Sequence, residues 1–516
     1  MQIEKLLIYV TILFFFVPTA NAQNIADITK SKEPKREFRG VWIATVVNID
    51  WPTDAKAPSD KQKKDLQTIL DTQQKNGINA VIFQVRPAAD AIYAKGSEPW
   101  SKYLTGRQGQ APDPFYDPLE FAVNEAHKRG MELHAWFNPY RATFDSNFSS
   151  LAQNHITRLK PEWFFTYGGI KQFNPGIPAV REYIVKIILN VVDNYDIDGV
   201  HMDDYFYPYA IAGQKINDAE TFKQYGQGFD DIKAWRRNNV DVLIKMLNDS
   251  IHKHNPRVKF GISPFGVWAN KVHNPEGSPS NGLETYYELY ADSRKWMKEG
   301  WVDYMVPQLY RPIGDRLIDF EKMVDWWSNN TFDRHLYVGH AAYRINEHKL
   351  RAYQDPAEMP EEITYLRKNP RVEGSVFFSS NSLINNPLGF ADSLRHNYYR
   401  YPALPPLMLW RDSVAPNPPK LVVARAERRG VLLSWQTPDI ARDKEPVYGY
   451  VIYRTGENER FDITDPKNII HIQYDADPSF TDSSAERGKD YVYYITAIDR
   501  IKNESDPSLP VMVKAR

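Results

Sequence analysis

The sequence predicts an α/β chain, a (β/α)8 TIM barrel followed by a smaller all-β sandwich, and three observations carry that expectation. Eight short runs rich in β-branched and aromatic residues alternate with amphipathic stretches between residues 39 and 380, the pattern of βα units and a parallel sheet. A proline-rich segment from Pro402 to Pro419 then breaks the pattern. Beyond it, short strand-like runs are separated by polar turns with no helical stretch between them.

The N-terminus carries Lys5, an apolar run from Leu6 to Val17 and the small residues Ala20 and Ala22, which is the layout of a signal peptide cleaved after Ala22. The apolar run, about 12 residues, is short of the about 20 that a membrane-spanning helix needs, so no transmembrane segment is expected after cleavage. The expected location is the periplasm or cell surface, as a soluble protein. With no cysteine, the chain has no disulfide, no thiol nucleophile and no cysteine for lipid attachment. Its 64 Lys and Arg nearly cancel 65 Asp and Glu, so no global field draws it to a polyanion, and nucleic acid is not an expected partner. The 13 Trp and 31 Tyr supply flat apolar faces with a polar edge, which both a carbohydrate platform and a large core use.

The eight expected strands are Arg39–Val46, Asn79–Arg86, Glu132–Asn138, Asp198–Asp204, Lys259–Phe265, Val302–Tyr310, Leu336–Tyr343 and Gly374–Ser380. Between them, Lys61–Lys75, Pro118–Arg129, Val180–Asn194, Phe229–His254, Thr285–Lys298 and Pro360–Lys368 place apolar residues at helical spacing, and Gly77, Gly130 and Gly300 mark helix ends. The span exceeds the about 250 residues of a typical barrel, so the loops after the second, third and fourth strands are enlarged. Seven further runs, from Lys420–Ala426 to Leu509–Lys514, make up the sandwich. The expected division is a signal peptide (1–22), a barrel domain (36–402), a proline-rich linker (403–419) and the β-domain (420–516).

In a TIM barrel the chemistry comes from the C-terminal ends of the strands. The fourth expected strand is the richest, with Asp203 and Asp204 adjacent and followed by Tyr205. Alternation places His201 and Asp203 on one face, so Asp203 points into the barrel mouth. Paired carboxylates repel, which raises one pKa until that group serves as a general acid. The other candidates are Arg86 and Asp90 from the second strand and its loop, Trp136, Asn138 and Tyr140 from the third, His201 and Tyr205 from the fourth, Gln308 and Tyr310 from the sixth, and Tyr343 from the seventh. Arg86 either orients Asp203 or a substrate oxygen, or forms a buried salt bridge that holds the strand-four carboxylate. Asp303 lies too early in its strand to reach the top face and is structural. His201 and His340 lack metal-ligand spacing, and there is no His-Glu-x-x-His, phosphate-binding glycine loop or Gly-x-Ser-x-Gly elbow, so neither a metal nor another cofactor is expected.

Several of these motifs occur in an order that resembles the glycosyl hydrolase-like family 10 proteins: Glu37 to Thr45, Phe83 to Pro87 with Asp90 and Tyr93, Glu98 to Ser101, Leu104 to Gly106, His134 to Arg141, and Gly199 to Tyr205. The resemblance covers roughly residues 36–400. It implies a TIM-barrel glycosidase and, as a substrate, peptidoglycan strands stripped of their stem peptides. Pro418-Pro419, Leu433 to Trp435, Tyr450 to Arg454 and Tyr491 to Asp499 resemble a fibronectin type III domain, an immunoglobulin-like sandwich that usually serves as a spacer or binding platform.

By the same resemblance, adjacent acids with a tyrosine after the sixth strand are similar to substrate-assisted N-acetylhexosaminidases, in which the sugar's acetamido oxygen attacks the anomeric carbon. Asp203 would then polarise the acetamido group, Asp204 would act as general acid and Tyr310 would donate to the acetamido oxygen. Asp-Gly-Val-His-Met-Asp is also similar to the nucleophile strand of amylase-type enzymes, where Asp203 attacks directly and Asp90 or Glu98 supplies the acid. Two further alternatives stand: an α-glycosidase acting on another polysaccharide, and a surface glycan-binding protein that has lost catalysis, since no Glu lies at the ends of strands four to eight.

Overall fold

The computed structural model describes residues 33–516, and the expected signal peptide with its cleavage site after Ala22 lies outside the described residues. All eight expected runs form strands of one closed parallel barrel: β1 (Phe38–Ile43), β2 (Ala80–Arg86), β3 (Glu132–Phe137), β4 (Gly199–Met202), β5 (Lys259–Ile262), β6 (Tyr304–Met305), β7 (His335–His340) and β8 (Gly374–Phe377). They pair in sequence order, with Gly40 opposite Ala80 and Phe38 opposite Gly374 where β8 closes on β1. Every strand is buried along its whole length, as befits a parallel sheet covered on both faces. The shortness of β6 has a local cause. Pro307 has no N–H to give to the ladder, so beyond Met305 the pairing reduces to single bridges such as Phe265 with Gln308.

The helices that cover the barrel begin and end where local chemistry directs. The chain enters α1 (Ser59–Lys75), α2 (Pro118–His127), α3 (Pro178–Asn194) and α4 (Ile232–His254), with proline in the first turn of α2 and α3 and with Asp117 and Asp231 accepting the free N–H groups of α2 and α4. Gly77, Gly130 and Gly300 take φ of +79°, +66° and +68°, the left-handed region that ends a helix. One expected helix is corrected. Thr285–Lys298 is two short pieces, Thr285–Glu288 and α5 (Ser293–Lys298), because Tyr290 turns to φ +54° and Asp292 caps the second piece through the Lys295 N–H. The helix Phe320–Ser328, capped by Asp319, has an apolar face that the sequence reading did not single out.

The interior of this barrel is aromatic and charged where most are aliphatic. Phe38 stacks on Tyr337 with ring centroids 4.1 Å apart, and Lys259 reaches Glu132 at 2.6 and 2.7 Å inside the barrel. Gly261 on β5 makes room for the neighbouring ring, since a Cβ there would stand 2.0 Å from Tyr304 Cζ.

The C-terminal region has seven strands in two antiparallel sheets: β9 (Lys420–Glu427), β10 (Gly430–Gln436) and β13 (Ser479–Asp482) in one, β11 (Gly449–Gly456), β12 (Ile469–Gln473), β14 (Asp490–Ile498) and β15 (Val511–Lys514) in the other. Alternate residues of the two inner faces, among them Leu433, Trp435, Ile452 and Tyr493, pack into its core. The proline-rich stretch before it is not loose. Leu404 and Met408 are fully buried, and Met408 joins Ile501 against the barrel's own interior residues Phe38 and Ala80. Next to Ile501, Lys502 is fully buried, 3.4 Å from Glu132, while Arg500 pairs with Asp196 and Asp198. The loop after β14 thus seals the barrel's N-terminal end.

Arg86, expected to lie near the strand-four carboxylates, is placed elsewhere. Its guanidinium forms a bidentate pair with Glu98, 2.7 Å on each arm, and donates to the Asn138 carbonyl at 2.6 Å. Glu98 also accepts the Tyr183 hydroxyl at 3.0 Å, and both ionic side chains are 1% exposed. The pair ties the loop after β2 to the start of the loop after β3, and it occupies Glu98, one of the two candidate acids in the loop after β2. Breaking a buried pair by removing one partner strands a charge, which typically costs about 3–5 kcal/mol. Glu98→Gln should therefore lower unfolding stability by roughly that amount, while the paired replacement Arg86→Met with Glu98→Leu should lose less; chemical denaturation of the three proteins measures both.

Candidate active site

A cavity of about 460 Å³ opens at the C-terminal end of the barrel, and every strand contributes to its wall or floor. Trp42 and Ala44 come from β1 and its continuation, Gln84 from β2, Trp136 from β3, Asp203 and Asp204 from just beyond β4, Ser263 from just beyond β5, Gln308 and Tyr310 from beyond β6, Tyr343 from beyond β7 and Phe378 from just beyond β8. This size suits one or two sugar rings' worth of ligand contact. The backbone leaves the β4 ladder after Met202, whose carbonyl still accepts the Ser263 N–H at 2.8 Å, and the next two residues turn their carboxylates into the cavity.

Both carboxylates are only 4% exposed. Asp203 accepts from Trp136 Nε1 at 3.1 Å and more weakly from Asn138 Nδ2 and the Tyr205 N–H, each at 3.4 Å. Asp204 accepts from the Tyr209 hydroxyl and from Gln308 Nε2, the latter at 3.2 Å. Burial raises the Asp203 pKa first, and the charge of Asp204 raises it further, to about 7, against the opposing pull of Arg141 and the Trp136 N–H. Burial also raises Asp204, but the Tyr209 hydroxyl and the Gln308 amide donate to it and hold its anion. Both carboxyls thus lie above the ordinary carboxylate range, which favours retention of a proton by the pair near neutral pH.

Four sequence-predicted residues besides the carboxylates stand close around them. Trp136 and Gln308 donate to the pair; Tyr310 lies near enough to Asp204 to feel its charge; and Asn138, fully buried, braces Asp203 from behind while accepting the Arg141 N–H at 3.0 Å. Tyr205 and Tyr343 form the rim at 38% and 47% exposure. The others are placed apart. Asp90 is buried where it accepts from Gln108 Nε2 and the Ala88 N–H, both at 3.2 Å, and it lines a separate small cleft with Lys102 and Tyr103. Tyr140 is fully buried outside the cavity. His201 lies beneath the floor, bonded to Tyr304 and Ser263, and His340 is held between Glu362 and Ser375, so the two rings do not share a site. Asp303, read as structural, accepts from the Phe260 N–H, His252 and Trp410 away from the cavity.

The sequence reading left out several cavity residues. Arg141 is the cation that faces the acid pair, its guanidinium stacked 4.1 Å over Tyr205 and 5.2 Å from the Phe144 ring. It stands three residues after Asn138 at the end of the run His134 to Arg141, and that adjacency was the available signal. Tyr209, Ser263 and Trp42 gave no signal, since each is an ordinary loop or strand residue until the barrel closes. Gln84 was passed over for Arg86; its side-chain oxygen accepts the Thr45 and Val46 N–H groups at 3.0 and 2.8 Å and shapes the cavity edge after β1. Two adjacent acids sharing a proton, in a cleft walled by aromatic rings and faced by one arginine, suit acid-assisted cleavage of a glycosidic bond.

Comparison with known proteins places the chain in a family. A family model described as glycosyl hydrolase-like 10 matches residues 37–356, and one described as a fibronectin type III domain, SaeA third domain, matches 419–516. The chain is 46% identical to glycosyl hydrolase YngK of Bacillus subtilis (strain 168) over 479 residues, 92% of each chain. It is 36% identical to glycosyl hydrolase DigH of Escherichia coli (strain K12) over 393 residues, 72% of this chain and 88% of that one. Among solved structures, the glycoside hydrolase domain of PgaB (BpsB) from Bordetella bronchiseptica aligns at a TM-score of 0.46 and 11% identity, covering 70% of this chain and 98% of that one. The chain belongs to the glycosyl hydrolase-like 10 family: it is a glycoside hydrolase with a TIM-barrel catalytic domain followed by a fibronectin type III domain.

Proposed function

We propose that this glycoside hydrolase is exported, with its leader cleaved after Ala22, and cuts N-acetylated glycan strands of peptidoglycan that have lost their stem peptides. The observation that carries the reading is the buried adjacent pair Asp203 and Asp204 in a cavity bordered by Trp136, Gln308, Tyr310, Tyr205 and Tyr343. A substrate-assisted reaction suits it. The acetamido oxygen of the bound sugar attacks the anomeric carbon, Asp203 as carboxylate takes the acetamido N–H, Asp204 protonates the departing oxygen, and Tyr310 donates to the acetamido oxygen. As the acetamido group docks on Asp203, a proton held by Asp203 passes to Asp204.

The amylase-type alternative is weakened because its two candidate acids are elsewhere: Glu98 is locked to Arg86, and Asp90 does not line the cavity. One observation favours a second reading within the substrate-assisted scheme. Because Asp203 holds its proton up to about pH 7, the roles of the two acids can be exchanged, Asp203 protonating the leaving oxygen. Kinetics on aryl glycosides separates the two: the variant of the true acid, Asp204→Asn or Asp203→Asn, should keep most of its activity only on substrates with good leaving groups. Equal losses on good and poor leaving groups in both variants would remove the general-acid role from the pair.

Three outcomes are expected. Full-length protein should shorten amidase-stripped peptidoglycan strands, read by mass spectrometry, and Asp203→Asn should not; no products from wild type would sink the substrate assignment. The free enzyme's kcat/KM should fall about tenfold per pH unit above about pH 7, where the shared proton is lost. Finally, Asp203 carries a raised pKa, so the native state binds its proton more tightly than the unfolded chain does, and wild type loses stability as pH rises from about 4 to about 7. Asp203→Asn escapes that loss, and its thermal midpoint should exceed that of wild type at pH 8 but not at pH 4, as calorimetry would show.

A further inference from the structure

A line of buried polar groups runs through the barrel from the fibronectin type III domain to the floor of the cavity. Lys502, from the loop after β14, stands 3.4 Å from Glu132 Oε1, and Lys259 holds the same carboxylate at 2.6 and 2.7 Å. Glu132 Oε2 meets His134 Nε2 at 3.2 Å. His134 Nδ1 meets the Tyr304 hydroxyl at 2.6 Å, and that oxygen meets His201 Nδ1 at 3.1 Å. His201 Nε2 reaches Ser263 Oγ at 2.9 Å, and Ser263 lines the cavity.

We propose that this column positions the catalytic floor: Lys502 and Lys259 keep Glu132 a carboxylate, the carboxylate sets which nitrogen of His134 and of His201 carries the proton, and Ser263 is thereby turned to accept a hydrogen bond from bound substrate. The direction follows from counting protons. A carboxylate can only accept, so His134 donates from Nε2 and its Nδ1 is the acceptor of the Tyr304 hydroxyl. The Tyr304 oxygen, its own proton spent, accepts from His201 Nδ1. His201 Nε2 is then a bare lone pair, and the Ser263 hydroxyl, whose other acceptor within reach is the Met202 carbonyl at the longer distance of 3.3 Å, donates to it. One proton on each ring satisfies the whole column. The Ser263 oxygen is left with free lone pairs on the cavity side, suited to a hydroxyl or amide N–H.

The same serine fixes the acid pair. Its backbone carbonyl accepts one Gln308 amide hydrogen at 3.0 Å, and the other goes to Asp204 at 3.2 Å, so the Gln308 side chain cannot flip without losing both. Trp42 adds a third tie, its Nε1 lying 3.4 Å from His201 Nε2 at the edge of the same cavity. Burial lowers the His201 pKa well below its ordinary value and that of Lys502 to about 8, while the cations on Glu132 hold its own down, and these shifts agree with a neutral ring below the floor and an ionic cluster at the base. Buried ion pairs are a poor source of net stability compared with apolar packing, which makes orientation the reason to build a barrel interior this way. Lys502, Glu132, His134 and Tyr304 are positioning residues; none lines the cavity.

The idea rests on the glycosidase reading only for what Ser263 accepts; the proton order is testable without substrate. Nitrogen-15 NMR of the histidine rings in the full-length protein should find His201 protonated at Nδ1 and bare at Nε2, and Glu132→Gln should mix or invert the two forms. A proton on Nε2 in the wild type overturns the proposal outright, whether or not Glu132→Gln folds. Unchanged His134 and His201 signals in Lys502→Met would remove the C-terminal domain from the column. On denuded glycan strands, Ser263→Ala should lose roughly tenfold in kcat/KM, the worth of one hydrogen bond. Lys502→Met should lose less, and the double variant should be no worse than Ser263→Ala. Losses that multiply would sever the link between them. An inactive wild type with the expected His201 form would sink the substrate assignment and leave the proton order standing.

Discussion

Asp203 and Asp204 sit side by side, each only 4% exposed, and two adjacent buried carboxylates cannot both ionise without a large electrostatic penalty. Retaining one proton relieves it, and much of the cavity wall serves to decide where that proton stays. Donors are unequally shared: Tyr209 and Gln308 favour charge on Asp204, whereas Asp203 has the indole N–H and two long contacts. Arg141, stacked on Tyr205, brings a positive charge to the pair and opposes the upward shift of both carboxyls. A bound sugar that brings an amide N–H to one carboxylate changes the balance, and the proton can move to the other.

The fold provides this arrangement through closure. Each strand alone ends in a few polar or aromatic residues; only when β8 pairs with β1 do the eight ends converge on one cavity. Below the cavity the barrel carries rings and charges in place of aliphatic layers, and these leave a base that needs a polar cover. The loop after β14 supplies it, with Ile501 against the apolar interior and Lys502 against Glu132. The fibronectin type III domain is therefore seated on the catalytic barrel, which is a different relation from that of a spacer held by a free tether.

Much of the fold was legible because its signals are local. Eight continuous apolar runs, helix-ending glycines and the alternating strands of the sandwich each depend on a handful of neighbouring residues, and the expected runs match the observed strands to within a few positions. The departures have local causes that apolar periodicity does not register, as at Pro307, which breaks the β6 ladder, and at Tyr290 and Asp292, which split one expected helix into two. In the site, residues at strand ends that point inward were found: the acid pair, Trp136, Asn138, Gln308 and Tyr310. Arg86 and Asp90 were equally conspicuous in sequence and lie outside the cavity, because their partners Glu98 and Gln108 come from a loop whose path no periodicity describes. Arg141, Tyr209 and Ser263 were overlooked for the converse reason.

By itself, the sequence determined the barrel, the sandwich and the strand that bears the acids, since these follow from the spacing of apolar residues and from two carboxylates placed next to each other along the chain. Only the tertiary structure decided which donors face each carboxylate, which arginine faces the pair and which lysine seals the barrel. Those outcomes depend on desolvation and on hydrogen bonds between residues far apart in sequence. Lys502 and Glu132, 370 positions apart, meet at 3.4 Å only after both domains have folded.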